Sequence, residues 1–497
     1  MFEYLLGGLA TAFSLSVLPV LIFGVVGGVI LGALPGLTAT MGVAILLPFT
    51  FGMEATPALV MLIGVYIGGI YGGSIAAILL KTPGTPASAA SVLDGYAMTL
   101  KGQAARALSI SAVASFIGGI TSTIILICIA PLLAKFALRF NAPEYFALAL
   151  FGLTIIASVA SKNILKGLLA GTIGLFVSTI GLDPISSVPR FTFGILDLYS
   201  GINVIPVLIG LFAISEALSQ LEKLFNNIKA SNNFSYKLLS FNDLKKMLPT
   251  SLKSALFGTA IGSVPGAGAD ISAFVCYNEA KRVSKNPDEF GQGSVEGLAS
   301  AESGNNGVTG GSLVPLLTLG VPGDAVAAVL LGALIIQGLT PGPLLFTQNP
   351  EIVYGIFSSM LVGNIVMLLV GLLGIRFFCK ITEVPKILMI PIIIFLSIVG
   401  AYAINNSMFD VGIAIFFGVL GFLLSKMDIP SSPILLAIIL GPMAEQNLRK
   451  SLLMFEGSWS FLYERPIALA FIVLAILSVV STVRRNNKAK KLAAEAS

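Results

Sequence analysis

The 497-residue sequence has no histidine, three cysteines and one tryptophan, and only 11% of it is charged. The missing histidine excludes a Ser-His-Asp triad, an imidazole proton relay and every zinc site that uses imidazole. Cys128, Cys276 and Cys379 are dispersed and form no CxxC pair, so thiolate zinc sites and dithiol redox motifs go as well. No Gly-Lys-Ser or Gly-Lys-Thr follows the Gly-rich stretches, which removes the P-loop and, with it, ATP as the energy source. So little charge beside 56% hydrophobic residues lies outside the range of soluble domains.

What is present is apolar sequence in lengths that cross a bilayer, ~20 residues each. Such stretches lie around 13 to 34, 57 to 80, 107 to 133, 145 to 181, 203 to 217, 353 to 379, 387 to 425 and 466 to 483. The chain therefore reads as an all-α polytopic membrane protein, with the lipid bilayer as its surroundings. Met1-Phe2-Glu3-Tyr4 carries no basic n-region, so the first stretch is expected to be a retained span and not a cleaved signal peptide. The net charge of +5 is concentrated: Lys223, Lys229, Lys237, Lys245, Lys246 and Lys253 share one long polar segment, and Arg484, Arg485, Lys488, Lys490 and Lys491 lie in the tail. Basic residues beside span ends mark the cytoplasmic side. They lack the aromatic interleaving of a nucleic-acid surface, and no nucleic-acid partner is expected.

The two halves repeat. Gly28-x3-Gly32-x2-Pro35-Gly36 recurs as Gly258-x3-Gly262-x2-Pro265-Gly266, and Tyr71-Gly72-Gly73-Ser74 followed by Pro83-Gly84 recurs as Thr309-Gly310-Gly311-Ser312 followed by Pro322-Gly323. This divides the chain into a first transmembrane repeat (1–217), a cytoplasmic polar linker (218–253), a second repeat (254–445) and a C-terminal helix with a basic tail (446–497). Gly and Pro inside apolar stretches predict discontinuous or re-entrant helices with Pro-Gly tips, whose freed backbone groups need protein or water as partners. The charge pattern fits inverted repeats, with Arg449-Lys450 arguing the other way.

A helix that begins after such a break presents unpaired N–H groups and the positive end of its dipole, which suit a carboxylate or phosphate. The candidate substrate-binding residues are Pro35, Gly36, Leu37, Thr38, Ala39 and Thr40 at the first break, Lys81, Pro83, Gly84, Thr85 and Ser88 at the second, and Gly266, Ala267 and Gly268 at the third. Across the repeat Thr40 corresponds to Asp270 and Thr85 to Asp324, so one half supplies hydroxyls and the other carboxylates. A carboxylate in a bilayer costs ~2.5–3.5 kcal/mol, so these two need a cation or a proton. Asp270, Asn305, Asn306, Gly323 and Asp324 are thus candidates for holding a coupling cation, Na+ or H+; Na+ is the only metal implied, and no other cofactor is expected. Blander roles stand beside these. Asp270 and Asp324 would cap helix N-termini, Thr38 and Thr40 would bond their own helix backbone, and Lys81 would snorkel to an interface. The polar run from Glu296 to Asn306 would be a surface loop.

The runs Gly32-Ala33-Leu34-Pro35-Gly36-Leu37-Thr38-Ala39-Thr40, Lys81-Thr82-Pro83-Gly84-Thr85-Pro86-Ala87-Ser88 with Asp94-Gly95-Tyr96, and Glu296 through Gly323 closely resemble the large membrane subunit of the tripartite tricarboxylate transporters. The resemblance covers essentially the whole chain. It implies a multi-pass permease of the bacterial inner membrane that imports organic carboxylates on an ion gradient and is not an enzyme. It also implies two partners, a small integral membrane subunit and a periplasmic substrate-binding protein. Competing readings are a passive anion channel and an intramembrane aspartyl protease, although the Gly-x-Gly-Asp signature of the latter is absent at both Asp270 and Asp324.

Overall fold

The computed structural model describes residues 2–34, 37–159, 164–183, 185–222, 238–266, 268–381, 386–477 and 479–480. Lys223, Lys229 and Lys237 of the linker and the basic tail lie outside the described residues. The helices are α1 (Phe2–Ala12), α2 (Leu18–Ala33), α3 (Ala39–Leu46), α4 (Ala55–Leu80), α5 (Ser91–Leu100), α6 (Ala104–Ala137), α7 (Ala142–Val159), α8 (Ile164–Ser178), α9 (Val204–Leu208), α10 (Ser215–Glu222), α11 (Phe241–Gly262), α12 (Ala269–Val283), α13 (Val295–Leu319), α14 (Ala325–Ile336), α15 (Leu345–Gln348), α16 (Pro350–Leu373), α17 (Ile375–Ile381), α18 (Lys386–Asn405), α19 (Met408–Lys426), α20 (Ser432–Met454) and α21 (Phe461–Glu464). A two-stranded antiparallel hairpin, β1 (Gly181–Leu182) and β2 (Pro189–Arg190), sits between α8 and α9.

Among the described residues five helical segments are long and apolar enough to cross a membrane: α4, α6, the continuous run from α9 through α10, α16 and α19. Shorter apolar helices fill the remaining stretches, including α2, α14 and one at Pro466–Leu477. The protein is thus an all-α membrane protein. Two expected stretches divide in the structure. Residues 145 to 181 are carried mainly by α7 and α8, and 387 to 425 breaks between α18 and α19, where Asn406 takes a φ of 50° and Ser407 caps α19 by accepting the Asp410 N–H.

Two helices form the centre. Every residue of α4 from Pro57 to Leu80 is buried, and every residue of α13 from Gly297 to Thr318. Burial that complete needs backbone-to-backbone contact, and glycines repeated at every fourth position provide it, because that spacing keeps them on one helix face. A Cβ on Gly24, Gly28 or Gly32 would fall on the α4 backbone at Met61, Val65 or Gly69; one on Gly68 or Gly72 would fall on the α2 carbonyl of Val25 or Val29. The second half repeats the arrangement, with Gly258 against Gly304, Gly262 against Val308 and Gly311 against Thr259. Residue numbers rise together in both pairs, so α2 runs parallel to α4, and α11 to α13.

Between the halves the order reverses. Tyr66 of α4 meets Ser312 of α13, with the two hydroxyl oxygens 3.0 Å apart, while Ser74 donates to Glu302 at 2.8 Å. The central helices therefore cross antiparallel. Asp94 on α5 ties this centre to the loop before α13: one carboxylate oxygen accepts the backbone N–H groups of Gly291, Gly293 and Ser294 at 2.7–2.8 Å, and the other accepts the Tyr277 hydroxyl at 2.9 Å. The hairpin is held separately. Asp183 accepts the N–H groups of Ser186 and Ile185 and pairs with Arg190, contacts that keep its carboxyl well below the usual carboxylate range. Arg449 lies 3.0 Å from Asp183 and 2.7 Å from Glu445, so the residue that weighed against inversion in the charge pattern belongs to a structural ion-pair network.

The glycine faces make a direct prediction. Gly68→Leu puts its Cβ onto the Val25 carbonyl, whereas Gly27, with nothing within 4 Å of a Cβ, has open space. Gly68→Leu is expected to destabilise the purified protein by ~3 kcal/mol or more, and Gly27→Leu to leave its melting midpoint in place. Equal midpoints for the two variants would show that the backbones need not touch.

Candidate substrate and ion site

Each half brings two helix breaks together. At the first, α2 ends at Leu34 in extended backbone and α3 begins after Thr38, whose Oγ1 accepts the Met41 N–H at 3.1 Å. Thr38 is thus an N-cap; Leu37, Ala39 and Thr40 beside it are buried. Pro35, Gly36 and, at the third break, Ala267 lie outside the described residues. At the second break Lys81 ends α4 in the left-handed region with a φ of 57°, exposed, its ammonium 5.8 Å from the centre of the Tyr96 ring. Gly84 then turns inward and its N–H donates to the Gly73 carbonyl at 3.1 Å. Ser88 donates to the Thr85 carbonyl at 2.8 Å and accepts the Thr85 N–H at 3.3 Å. The Thr85 hydroxyl itself is buried without a hydrogen-bond partner among the described residues. Pro83 precedes this turn, half-buried.

In the second half Gly266 takes a φ of 82° and donates its N–H to the Gly323 carbonyl at 2.7 Å, linking the third break to the fourth. Gly268 is the N-cap of α12, and Asp270 in its first turn is exposed. Asp324 is buried and fully engaged. One oxygen caps α14 by accepting the Ala327 N–H at 2.8 Å, and the other accepts the Tyr66 hydroxyl at 2.6 Å. Gly323 occupies the place in this half that Gly84 occupies in the first. A Cβ on Gly84 would strike the Gly32 carbonyl and Gly73, and one on Gly323 the Gly262 carbonyl and Ser312.

The breaks also meet across the halves. α3 packs against α14, and the turn Pro86–Ser88 packs against α12 and α13. These packings bring α3, the turn Pro86–Ser88, α12 and α14 together across the halves, and Lys81 and Asp270 stand at exposed positions. Asn305 is buried on α13 and neither of its amide atoms has a partner among the described residues. Asn306 belongs elsewhere: its Nδ2 donates to the Ser115 hydroxyl at 2.8 Å and the Glu302 carbonyl at 3.1 Å.

The surface-loop alternative for 296 to 306 does not hold. Residues Gly297 to Asn306 are buried helix, and Glu302, Ser303, Asn305 and Asn306 are each 0% exposed. Sequence reasoning also passed over Tyr66, the hydroxyl that satisfies Asp324, and Glu302 as a buried charge. The available signal was the run Glu302-Ser303-Gly304-Asn305-Asn306 directly ahead of Gly310-Gly311, since a polar run inside a glycine-packed helix has neighbours and not solvent on every side.

Replacing Tyr66 by Phe removes the donor to Asp324 and leaves a buried carboxylate oxygen unpaired. The variant is expected to lose ~1–3 kcal/mol of stability, and the loss should shrink in an Asp324→Ala background. Equal losses in both backgrounds, measured by thermal melting, would mean that Tyr66 acts through packing alone.

The chain matches the tripartite tricarboxylate transporter TctA family over residues 18–436. It is 36% identical over 491 residues, 98% of each chain, to an Agrobacterium vitis protein described as an uncharacterized 52.8 kDa protein in the TAR-I ttuC' 3' region. It is also 36% identical over 234 residues, 47% of this chain and 97% of the other, to an uncharacterized protein in the TAR-II ttuC' 3' region of the same organism. No solved structure matches it. The chain belongs to the tripartite tricarboxylate transporter TctA family, the family of the large membrane subunit.

Proposed function

We propose that this protein is the permease of a secondary transporter that imports di- or tricarboxylate anions across the bacterial inner membrane, driven by a Na+ or H+ gradient. A periplasmic substrate-binding protein delivers the anion, and a small integral membrane subunit completes the assembly. The observation that carries this reading is the doubled helix break: two tip glycines seated on equivalent carbonyls, in halves whose central helices run antiparallel. That relation supports inverted repeats, with α2–α3 and α11–α12 as re-entrant hairpins entering from opposite sides. In transporters built this way the substrate sits at the repeat interface near the bilayer midplane.

Charge divides the site. Asp324 already compensates the N-terminus of α14, and Asp270 lies in the first turn of α12, so an anion gains least beside these two helices. The N-terminus of α3 has only the neutral Thr38 as its cap, and the nearby Thr85 hydroxyl has no partner. The substrate carboxylates therefore bind on the first-half side, through backbone N–H groups after Pro35-Gly36 and Pro83-Gly84 and the hydroxyls of Thr38, Thr40, Thr85 and Ser88. Lys81 stands at the rim, where it meets the part of the anion that differs between substrates. On the second-half side a coupling cation neutralises Asp270, with Asn305 and the Gly323 carbonyl as neutral ligands beside the Gly266–Gly268 turn, while Asp324 stays occupied by Tyr66 and the α14 N-terminus. Alternating access follows when the core carrying the four tips moves against the outer helices such as α7, α8, α18 and α19.

Uptake of a panel of carboxylates into proteoliposomes, with binding protein and small subunit present and the Na+ and pH gradients varied separately, tests the proposal. Accumulation against a gradient of one cation is expected. Gly266→Leu, which forces a side chain onto a φ of 82°, should abolish it while leaving membrane insertion intact. Substrate movement that ignores both cation gradients would instead describe a passive anion channel.

A further inference from the structure

Glu302 is a buried charge with no opposite charge beside it among the described residues. It lies in the interior of α13, 0% exposed, and no lysine or arginine pairs with it among the described residues. Hydroxyls surround it from three other helices. Ser74 of α4 donates to Oε2 at 2.8 Å and Ser115 of α6 donates to the same oxygen at 3.1 Å. Ser91 of α5 and Ser111 of α6 lie beside the same carboxylate, and by hydrogen-bond geometry their hydroxyls and Oε1 are without a partner among the described residues. Asn306, whose Nδ2 donates to the Ser115 hydroxyl and to the Glu302 carbonyl, leaves its Oδ1 without a donor.

These atoms share one chemistry. They are buried oxygens around a single formal negative charge, and among the described residues Glu302 Oε1, the Ser91 and Ser111 hydroxyls and Asn306 Oδ1 have no hydrogen-bond partner. A carboxylate left so in the interior carries a penalty of several kcal/mol. One proton would satisfy Oε1 and one acceptor, leaving the other unpartnered oxygens as they are. A hard monovalent cation takes several oxygens at once and matches the single charge. A divalent ion would leave an excess positive charge in apolar surroundings, and among the described residues no three acidic or thiol side chains gather to hold one. Other charges nearby are occupied: Asp94 of α5 by the loop amides and Tyr277, Arg106 of α6 by Asp243.

We propose that Glu302, with Ser91, Ser111, Ser115 and the Asn306 amide oxygen, forms a Na+ site inside the crossing of α4, α6 and α13, separate from the carboxylates at the helix tips. Its place between the two halves gives the ion a structural lever. Ser74 belongs to the first half and Glu302 to the second, so a cation bound here changes how strongly the central helices hold each other. That it serves coupling rests on the transport reading above; that it binds Na+ does not.

The test is a melting curve. Purified wild-type protein, without substrate, is titrated with NaCl against choline chloride at constant ionic strength and pH, since a ligand that binds only the folded state raises its stability with concentration. The midpoint is expected to rise with Na+. Glu302→Gln should raise the half-saturating Na+ concentration at least tenfold or lose the response, and its Na+-free midpoint should not fall below that of wild type, because the neutral amide needs no counterion. Ser111→Ala and Ser115→Ala should weaken the response several-fold while keeping the carboxylate, which covers the case in which Glu302→Gln does not fold. A Glu302→Gln response within twofold of wild type overturns the proposal, as does a wild-type midpoint that does not change between NaCl and choline chloride. Because uptake is not measured, a Na+ shift abolished in Glu302→Gln supports the site even if the transport assay fails. A shift that survives the substitution refutes the site even if uptake is Na+-driven.

Discussion

Backbone contact between helices is the constraint on which this fold depends. Lipid offers no hydrophobic reward for bringing two apolar helices together, so association rests on close packing and on satisfied polar groups. The glycine faces of α2 on α4 and of α11 on α13 supply the packing, and they place Gly32 and Gly262 where their carbonyls receive the second tip of each half. Gly84 and Gly323 fit there because they have no Cβ. The broken ends then find partners inside the protein, Gly84 on the Gly73 carbonyl and Gly266 on the Gly323 carbonyl, as backbone at membrane depth requires. The positions of the helix N-termini, and so the anion site proposed around them, follow from that contact.

Three of the buried carboxylates, Asp94, Asp324 and Glu302, lie at or beside the central helices and are used in three ways. Asp94 is saturated by three N–H groups and a tyrosine hydroxyl, and it holds a loop. Asp324 is filled by a helix N-terminus and Tyr66, and it joins the fourth tip to the opposite half. Glu302 alone among them keeps an oxygen without a partner. A structural carboxylate has its acceptors filled by the protein, and a carboxylate that exchanges an ion keeps some free. This contrast, more than burial itself, separates Glu302 from the other two. It also accounts for the hydroxyl-rich shell, which solvates a charge without cancelling it.

Much of this architecture is legible in the sequence because helix breaks are local. A Pro-Gly pair inside an apolar stretch ends a helix wherever it occurs, and caps such as Thr38 and Asp324 act on backbone within three residues. The family resemblance was readable for the same reason, since it rests on those short runs. The partners of the buried charges were not. Ser74 and Glu302 are 228 residues apart, and Tyr66 and Asp324 are 258 apart, so no spacing rule connects them. The polarity of Glu296 to Asn306 favours solvent in any linear reading; only the packing of α4, α6, α11 and α12 around α13 turns that run into an interior. Arg449 is a further case, a basic residue near a span end whose partners are Asp183, 266 residues away, and Glu445.

The central claim is that the tips form one site between inverted halves, open to one side at a time. Single cysteines beside Thr38 and Gly268, in a background with Cys128, Cys276 and Cys379 replaced, report it directly through membrane-impermeant labelling in sealed, oriented vesicles. The account predicts that the two positions are labelled from opposite sides and in different states, with substrate and cation together shifting the balance. Labelling of both positions from both sides at once, unchanged by ligand, would contradict it.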